Sequence, residues 1–412
     1  MRLTAVVDLG SNSFRLVVFR YEPGGAWAVW DEIREPVRLS AGMGPDQVLQ
    51  PAPVARALET VQTFAAFCRQ TGIEDVLAVG TSALRRAVNG PEVVSQMEAA
   101  GLPVRVLDER EEAYYGALAI LNSTSVADGF GLDMGGGSVQ LMQLSGGALG
   151  ASVSLPLGAV RATEDFLGDD QKSGLKALRR EVRGLVGELD WFAAAGGPLA
   201  GIGGSVRNLS AAAQRLYELP NGGVQGFSLT TEMLGRLVEE LSGRTIEERA
   251  AMPGINPDRG DVILAAAVVL ETILEEGGFG AVEITEAGLR EGVFYERYFD
   301  GREPPVHGDV GRASVRNLVL RHEPDVAHAE RIAGHALALY DGLAAQAAIT
   351  AVAADRRLLE AAALLHDIGR SVAFDNRHKH ARYLILDEGL PGFARDEMND
   401  VAQIVRYIPK GT

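Results

Sequence analysis

The sequence predicts an α/β protein made of two related halves, followed by an all-α domain. Two short segments carry the same pattern, Asp-x-Gly-x-x-Ser, at residues 8–13 and 133–138. Each lies between two apolar, strand-like runs, so each predicts a β-hairpin that heads one half of the chain. Strands alternate with helices up to about residue 300, and the β-type patterns fade after that point. Together these observations predict domains at residues 1–125, 126–300 and 301–412.

The composition is that of an ordinary globular protein, and it excludes several function classes. The formal net charge of −16 argues against binding to DNA, RNA or an anionic membrane surface. The longest apolar run, residues 262–270, is too short to cross a bilayer, and we expect neither a signal peptide nor membrane insertion. The single cysteine, Cys68, allows no intrachain disulfide, which fits a reducing compartment. We therefore expect a cytoplasmic protein.

The first half shows a regular series of elements. In order, the patterns predict a hairpin at 1–20, a strand near 26–33, a helix at 51–71, strands at 75–79 and 104–107, and a helix after each of the last two. The first of these helices is capped by Thr81 and Ser82 and carries Arg85 and Arg86. The second begins at Asp108 with an acidic turn, which suits the positive end of the helix dipole.

The second half begins again with a hairpin, and a helical region follows it. The predicted elements are a helix at 172–195, a strand at 199–202, a helix from there to about 216, a helix at 261–276, a strand at 282–285 and a helix through 298. The segment 301–305, which holds Gly and two Pro, is typical of a boundary. Helices are then predicted at 327–346, 356–366, 378–387 and 395–407. The chain stops soon afterwards, as if it were truncated.

The two hairpin turns predict a pair of facing phosphate loops. Gly, Ser and Asn tolerate positive φ, and such a turn can align its backbone N–H groups around an anion. The aspartate that begins each motif can hold a metal ion or a water molecule. A phosphate chain between the loops would be held by local cations and metal, against the negative field of the whole molecule. The predicted residues are Asp8, Gly10, Ser11, Asn12 and Ser13 in the first loop and Asp133, Gly135, Gly136, Gly137 and Ser138 in the second.

Further candidates come from a third glycine turn, from arginines and from an acidic pair. The turn Gly203-Gly204-Ser205 joins a strand to a helix, where it serves either anion binding or close packing. Guanidinium groups bind two phosphate oxygens at once, and the arginines beside glycine turns or caps are Arg15, Arg85, Arg86, Arg207 and Arg290. We favour Arg15 and Arg85 because each follows a loop of the expected kind. Hydrolysis also needs a base, which Glu111 or Glu112 could supply, although such pairs also suit a helix start.

Six motifs occur along the chain in a fixed order: residues 8–15, 80–89, 111–113, 133–138, 203–205 and 288–292. Together they resemble the exopolyphosphatase/guanosine pentaphosphate phosphohydrolase family, almost end to end. The resemblance implies two actin-like (ribonuclease H-like) lobes of the Hsp70, actin and sugar-kinase superfamily, with a cleft between them. It also implies release of orthophosphate from the terminal phosphoanhydride of inorganic polyphosphate, and in some members removal of the 5′ terminal phosphate of pppGpp. The implied cofactor is Mg²⁺ or another divalent cation such as Mn²⁺.

The resemblance also implies residue roles. By motif position, Glu112 matches the catalytic base, and Asp133 matches the acidic residue that helps to hold metal and water. Asp8 and Asp133 would bind the Mg²⁺, while both loops, Arg15, Arg85 and the Gly204-Ser205 turn would contact phosphate. Our hypothesis is that Glu112 positions a water in line with the terminal phosphorus. The loops and Mg²⁺ would stabilise the charge on the transferred group.

The helical domain resembles an HD-type domain, whose histidines and aspartates can bind a divalent metal. Here the matching residues are His328, His366 and Asp367. The fourth ligand of such sites is an Asp further toward the C-terminus, and we expect the chain to end before that position, so we do not expect an active metal site. We expect the domain to extend the substrate channel or to support a homodimer. The arginines and lysine of segment 377–382 would then guide a long polyanion.

Three alternatives remain open at this stage. An ATP-dependent kinase or ATPase of the same superfamily would share both phosphate loops, but it would use an Asp base, and no second substrate motif is found. A catalytically weak sensor of polyphosphate or guanosine tetraphosphate would keep the phosphate contacts, and the intact Glu112 argues against it. An actin-like scaffold would need filament contacts, which nothing in the sequence suggests. Polyphosphate and pppGpp both stay open as substrates.

Overall fold

The computed structural model describes residues 1–168, 170–219, 223–323 and 325–407. Two mixed β-sheets form its framework. The strands of the first sheet are Arg2–Leu9 (β1), Phe14–Tyr21 (β2), Trp27–Glu35 (β3), Val76–Gly80 (β4) and Val104–Val106 (β5). Those of the second are Gly129–Met134 (β6), Val139–Ser145 (β7), Ala148–Leu155 (β8), Leu199–Ile202 (β9), Phe227–Thr230 (β10) and Ala281–Ile284 (β11).

The two sheets repeat one topology. Their strand orders are β3-β2-β1-β4-β5 and β10-β11-β9-β6-β7-β8. In each sheet the first strand pairs antiparallel with the second and parallel with a later strand, β4 or β9. The register repeats as well, because the aspartate of each motif pairs with the residue at the same distance along the chain. Asp8 lies opposite Arg15, and Asp133 lies opposite Gln140. The two halves predicted from the paired motifs are therefore present as two related sheets.

Helices cover these sheets and form the C-terminal part of the described chain. The first half contributes Pro51–Thr71 (α1), Ser82–Arg86 (α2), Gly90–Ala99 (α3) and Glu109–Leu121 (α4), and α4 packs against strands of the second sheet. The second half contributes Ala159–Phe166 (α5), Gln171–Gly187 (α6), Gly204–Leu216 (α7), Thr231–Ser242 (α8), Ile246–Ala250 (α9), Ile263–Gly277 (α10) and Leu289–Phe299 (α11). Val310–His322 (α12), Val326–Ala345 (α13), Ala353–Leu365 (α14), Arg377–Glu388 (α15) and Arg395–Tyr407 (α16) follow.

Two helices join the halves of the α/β part. α4 begins with a capping box, in which the Asp108 side chain accepts from the Glu111 N–H and the Glu111 side chain accepts from the Asp108 N–H. α11 crosses α4 so closely that a Cβ on Gly292 would lie 1.9 Å from the main-chain oxygen of Tyr115. One hydrophobic cluster takes buried residues from both sheets and both helices. The crossing therefore fixes how the two halves meet, and Glu112 lies in the first turn of α4.

The long apolar run of the sequence forms the most buried helix. α10 is buried along most of its length because it packs against α6, α7, α8 and α5. A helix that is apolar on every side belongs in a core. Within the described ranges, no helix combines the length and apolar character that crossing a bilayer requires.

Several expected elements differ from those observed. The helix predicted over 172–195 ends at Gly187, and a turn region follows it. The sequence analysis did not predict β8, α5, β10, α8 or α12. The described residues after Asp300 contain helices and turns without strands, so the predicted all-α character of this region is confirmed. The proposed domain limits at 125 and 300 fall outside helices and strands and stay predictions.

Candidate active site

The two hairpin turns lie against one another at the junction of the two sheets. A Cβ on Gly137 would lie 3.3 Å from Ser11 Oγ and only 2.7 Å from Ser82 Oγ. A Cβ on Gly136 would lie 3.3 Å from the Cβ of Ser11. Any side chain larger than hydrogen would push the turns apart. The glycines of the second loop thus allow the two loops to approach closely.

This use of glycine differs from the one expected. The sequence analysis noted that these turn residues tolerate positive φ, but Gly10, Gly135, Gly136 and Gly137 all have backbone angles outside the left-handed region. These four glycines therefore do not use that tolerance. The physical requirement here is space for a facing loop, because the turns reverse direction without left-handed residues.

Neighbouring backbone fixes the shape of each loop. The N–H of Arg38 donates to the main-chain oxygen of Asn12 at 2.7 Å, which anchors the first loop to the segment after β3. In the second loop, the N–H of Ala159 donates to the main-chain oxygen of Gly135 at 3.0 Å. The first turn of α5 is therefore anchored to the second loop. These contacts leave a rigid pair of loops beside a small cavity.

A cavity of about 130 Å³ lies between the loops. All predicted residues of both loops line it, together with Arg15, Glu112 and Gly204. Two predicted phosphate contacts, Arg85 and Ser205, are not among its lining residues and lie behind its wall. The structure thus brings most of the predicted site together in one place. The chemical roles assigned to these residues remain proposals.

Three carboxyl groups meet in this cavity. Burial raises the pKa of Asp133 to about 7, and the charges of Glu112 and Asp8 add to that rise. Burial also raises the pKa of Asp8, although Arg290 and Arg15 partly offset it. Carboxylate oxygens are the ligands that Mg²⁺ prefers, and a divalent cation would relieve their mutual repulsion. The donor set at Asp8 and Asp133 therefore fits the expected metal.

Glu112 is the carboxylate with a fixed cationic partner. Its side chain is 9% exposed, and its Oε2 accepts a hydrogen bond from Arg85 Nη1 at 2.7 Å. Arg85 also donates to the main-chain oxygen of Leu107 at 2.8 Å, so its guanidinium is held from two sides. Burial raises the pKa of Glu112, while the charge and the hydrogen bond of Arg85 lower it. Arg85 thus fixes the orientation of the carboxylate and offsets part of the rise in its pKa.

Four arginines face the same cavity: Arg15, Arg207, Arg259 and Arg290. Burial and the charges of Arg290 and Arg207 lower the pKa of Arg15 to about 10. Burial and the charges of Arg34 and Arg207 lower that of Arg259 to about 10. Crowded cations in a buried wall are costly unless an anion lies between them. The cavity is therefore suited to a ligand with several negative charges.

Arg259 was missed by the sequence analysis. It ends a short 3₁₀ turn, Pro257–Arg259, and its Nη1 donates to Ser205 Oγ at 3.0 Å. A Pro-Asp-Arg-Gly segment directly before an apolar helix can be recognised as a turn in the sequence. It does not follow a glycine-rich strand end, however, and the arginines were selected beside glycine turns or caps. Arg207 and Arg290 were noted and then ranked below Arg85. The structure places them on the cavity wall and Arg85 behind it.

The third glycine turn lies directly beside Asp133. Gly203 has φ of 104°, a conformation that favours glycine. A Cβ there would lie 2.5 Å from the main-chain oxygen of Met134 and 3.1 Å from Asp133 Oδ1. Gly204 then begins α7 and lines the cavity. This turn thus packs closely against the end of β6 and also forms part of the cavity wall.

In the helical part, His328, His366 and Asp367 also come together. One donor atom from each lies within 4.8 Å of the others. The Nδ1 of His366 lies 2.8 Å from the main-chain oxygen of Ala363, which can only accept, so its Nε2 lone pair is free. Asp367, however, already accepts from Arg377 Nε at 2.8 Å. The cluster is compact but its carboxylate is already paired, and metal binding there stays untested.

Comparison with known proteins identifies related sequences. The model of the Ppx/GppA phosphatase family matches residues 17–299 of this chain. The model of Ppx/GppA phosphatase domain III matches residues 310–411.

Solved structures of this kind share the fold. A Ppx/GppA family member from Aquifex aeolicus is 24% identical with a TM-score of 0.62, over 73% of this chain and 99% of that one. An exopolyphosphatase from Cytophaga hutchinsonii is 21% identical with a TM-score of 0.66, over 72% of this chain and 98% of that one. A second structure, of the Aquifex aeolicus PPX-GPPA enzyme, is 25% identical with a TM-score of 0.57, over 71% and 98%. The expected fold, two actin-like lobes followed by a helical domain, is thereby confirmed.

Proposed function

Because this chain belongs to the Ppx/GppA phosphatase family, we propose that it hydrolyses the terminal phosphoanhydride bond of inorganic polyphosphate and releases orthophosphate. The observation that carries this proposal is the cavity between the two loops. Three carboxyl groups and four arginines face the same small space. The arginines suit a polyanion, and the carboxylates suit a metal and an attacking water.

In this proposal Glu112 acts on the water. Its buried carboxylate accepts a proton from a water that is aligned with the terminal phosphorus, or orients that water through a hydrogen bond. Arg85 does not contact substrate and instead orients Glu112 and favours its ionised form, through the 2.7 Å hydrogen bond. The action of Glu112 on the water and its pairing with Arg85 both require that its buried carboxylate is charged.

The loops and arginines would bind the phosphate chain. Residues of both turns line the cavity, and their backbone N–H groups would donate to the terminal phosphate. Arg259 and Arg290 can donate to the oxygens that become charged as the bond breaks. Asp8 and Asp133 would hold Mg²⁺, which supplies charge neutralisation to the phosphate oxygens when bound.

The second substrate, the homodimer and the location that we expected from the sequence are also proposals. pppGpp carries a terminal phosphoanhydride of the same chemistry and is the second substrate to be tested. A homodimer and a cytoplasmic location stay predictions. A kinase would differ from a hydrolase in its product, a phosphorylated acceptor. A sensor would bind polyphosphate without releasing phosphate.

The test is phosphate release with Mg²⁺ from long polyphosphate, tripolyphosphate and pppGpp, measured side by side. We expect free orthophosphate from at least one inorganic chain. ATP with a range of acceptor molecules serves as the comparison, since a kinase would form a phosphorylated product without free phosphate. Binding of polyphosphate without any release would favour the sensor and would contradict the proposal.

A further inference from the structure

A second chamber lies behind the arginine wall of the active site. It has a volume of about 680 Å³ and is bounded by β3, by the start of α11 and by helices α12 and α15 of the helical domain. Arg15, Arg207 and Arg290 line both this chamber and the active-site cavity. The smaller cavity can hold only the end of a phosphate chain. A longer chain that follows these three arginines therefore enters the second chamber.

Beyond the shared arginines, the chamber is acidic. Among the described residues, its remaining charged side chains are five carboxylates and one arginine: Glu32, Glu286, Glu291, Asp387, Glu388 and Arg321. Arg321 is hydrogen-bonded to Glu388, so it neutralises part of one carboxylate only. A chain of phosphates that extended into this space would meet net negative charge. Like charges in a partly enclosed space repel, and interfaces use this repulsion to reject wrong ligands.

Glu32 lies at the boundary between the arginines and the chamber. Its Oε1 is 3.3 Å from Arg15 Nη1 and 3.5 Å from Arg290 Nη1. Arg290 is only 7% exposed and Arg15 only 19%, so few other directions of approach to these guanidiniums are open. Glu32 lines the second chamber and is not among the residues that line the active-site cavity. Its carboxylate thus occupies the place where the next phosphate of a long chain would bind.

We propose that Glu32 is a specificity-determining residue that, with the other chamber carboxylates, restricts this enzyme to short phosphate chains. The inference rests on the proposed function, because it assumes that the terminal phosphate lies between the two loops. A chain of three phosphates reaches the arginines without displacing Glu32. A long chain must displace its carboxylate and then pass the remaining acidic groups.

The decisive variant is Glu32→Gln, which keeps the size of the side chain and removes its charge. Glu35→Gln is the matched control, because Glu35 is an exposed residue of the same strand and lines neither cavity. We expect the wild type to have the higher kcat/KM for tripolyphosphate. Glu32→Gln should raise kcat/KM for long polyphosphate at least about fivefold and change that for tripolyphosphate less than about twofold. Glu35→Gln should change neither.

A second variant and a binding measurement complete the test. Glu286→Gln/Asp387→Asn removes two exposed chamber charges and keeps the main-chain oxygen of Glu286, to which Arg207 Nη1 donates, and it should also favour long chains. Binding of both substrates with Mg²⁺ is measured in a Glu112→Gln background, with and without Glu32→Gln. Equal use of long and short chains by the wild type, with no change in either variant, would overturn the inference. Loss of tripolyphosphate binding in every protein would instead remove the proposed function, and this inference with it.

Discussion

The Nη1 atom of Arg85 donates to the Oε2 atom of Glu112 at 2.7 Å, and both side chains are largely buried. The same guanidinium donates to the main-chain oxygen of Leu107. Arg85 was expected to contact phosphate, but its position favours a different role. It fixes the orientation and the charge of the residue that we propose as the base.

The first prediction concerns the base itself. Glu112→Gln should lower kcat for phosphate release by about 10²–10⁴-fold, since the amide cannot accept a proton from water. Binding of tripolyphosphate should change little. The matched control is Glu111→Gln, because glutamine can also complete the capping box of α4. If Glu112→Gln retains near-normal turnover, another group is the base.

The second prediction concerns Arg85 as a positioning residue. Burial raises the pKa of Glu112, and Arg85 lowers it. In Arg85→Met the pKa of Glu112 should rise further, so less of the carboxylate is ionised at a given pH. The acid limb of the kcat/KM profile should therefore move to higher pH, and Arg85→Lys should move it less. An unchanged acid limb in Arg85→Met would show that Arg85 does not act through Glu112.

The third prediction concerns the arginine that sequence patterns missed. Arg259→Gln removes a cation from the cavity wall, so tripolyphosphate should raise the melting temperature of the variant less than that of the wild type. We expect affinity to fall by about tenfold or more, the usual scale for a charged hydrogen bond. Arg244→Gln, on the exposed surface of the second half, is the control. Equal thermal shifts in both variants would remove Arg259 from the proposed phosphate contacts.

The fourth prediction concerns the crossing of α4 and α11. Gly292→Ala would place a Cβ 1.9 Å from the main-chain oxygen of Tyr115, so the helices must move apart. Overpacking of this kind costs on the order of 1–3 kcal/mol, and more when backbone must shift. Gly184→Ala, in α6, meets open space and should be neutral or stabilising by up to about 1 kcal/mol. Denaturant unfolding of the two variants checks the difference, and equal stability would contradict the close crossing.

The fifth prediction concerns acid stability. Burial, with a smaller effect of Arg302, lowers the pKa of His307 from 6.5 to about 4. The unfolded chain therefore takes up this proton at a higher pH than the folded chain does. The contribution of His307 to the free energy of unfolding should be fully present above about pH 6.5 and should fall as the pH drops toward 4, by roughly 3 kcal/mol. His307→Phe should flatten this slope, as followed by denaturant unfolding at several pH values.

The paired loops could be predicted from sequence because each motif repeats a strand, a turn and a second strand. Composition and spacing are local properties, and both hairpins depend mainly on local properties. The strand β8 was missed because its sequence, Ala-Leu-Gly-Ala-Ser-Val-Ser-Leu, has weak alternation and small residues. The two-residue turn Gly146-Gly147 before it is a local hairpin signal that could have found it.

The site was predictable where chemistry follows a motif and was missed where it depends on the meeting of distant segments. Asp8 and Asp133 stand at strand ends that the pattern marks. Arg259 and Glu32 come from a short turn and from an edge strand, and only the folded chain brings them to the arginine wall. The close approach of Gly137 to Ser11 is also tertiary, and for that reason the need for space at this glycine could not be predicted from the local sequence.

The most direct test of the central claim is tripolyphosphate hydrolysis with Mg²⁺ in water enriched in oxygen-18. Attack by a water that Glu112 orients toward the terminal phosphorus places the label in the released orthophosphate and leaves the shortened chain unlabelled. We predict this distribution, together with its near disappearance in Glu112→Gln. Label found mainly in the shortened chain, or phosphate transfer to an acceptor without uptake of label, would contradict a site in which the two loops hold the terminal phosphate for hydrolysis.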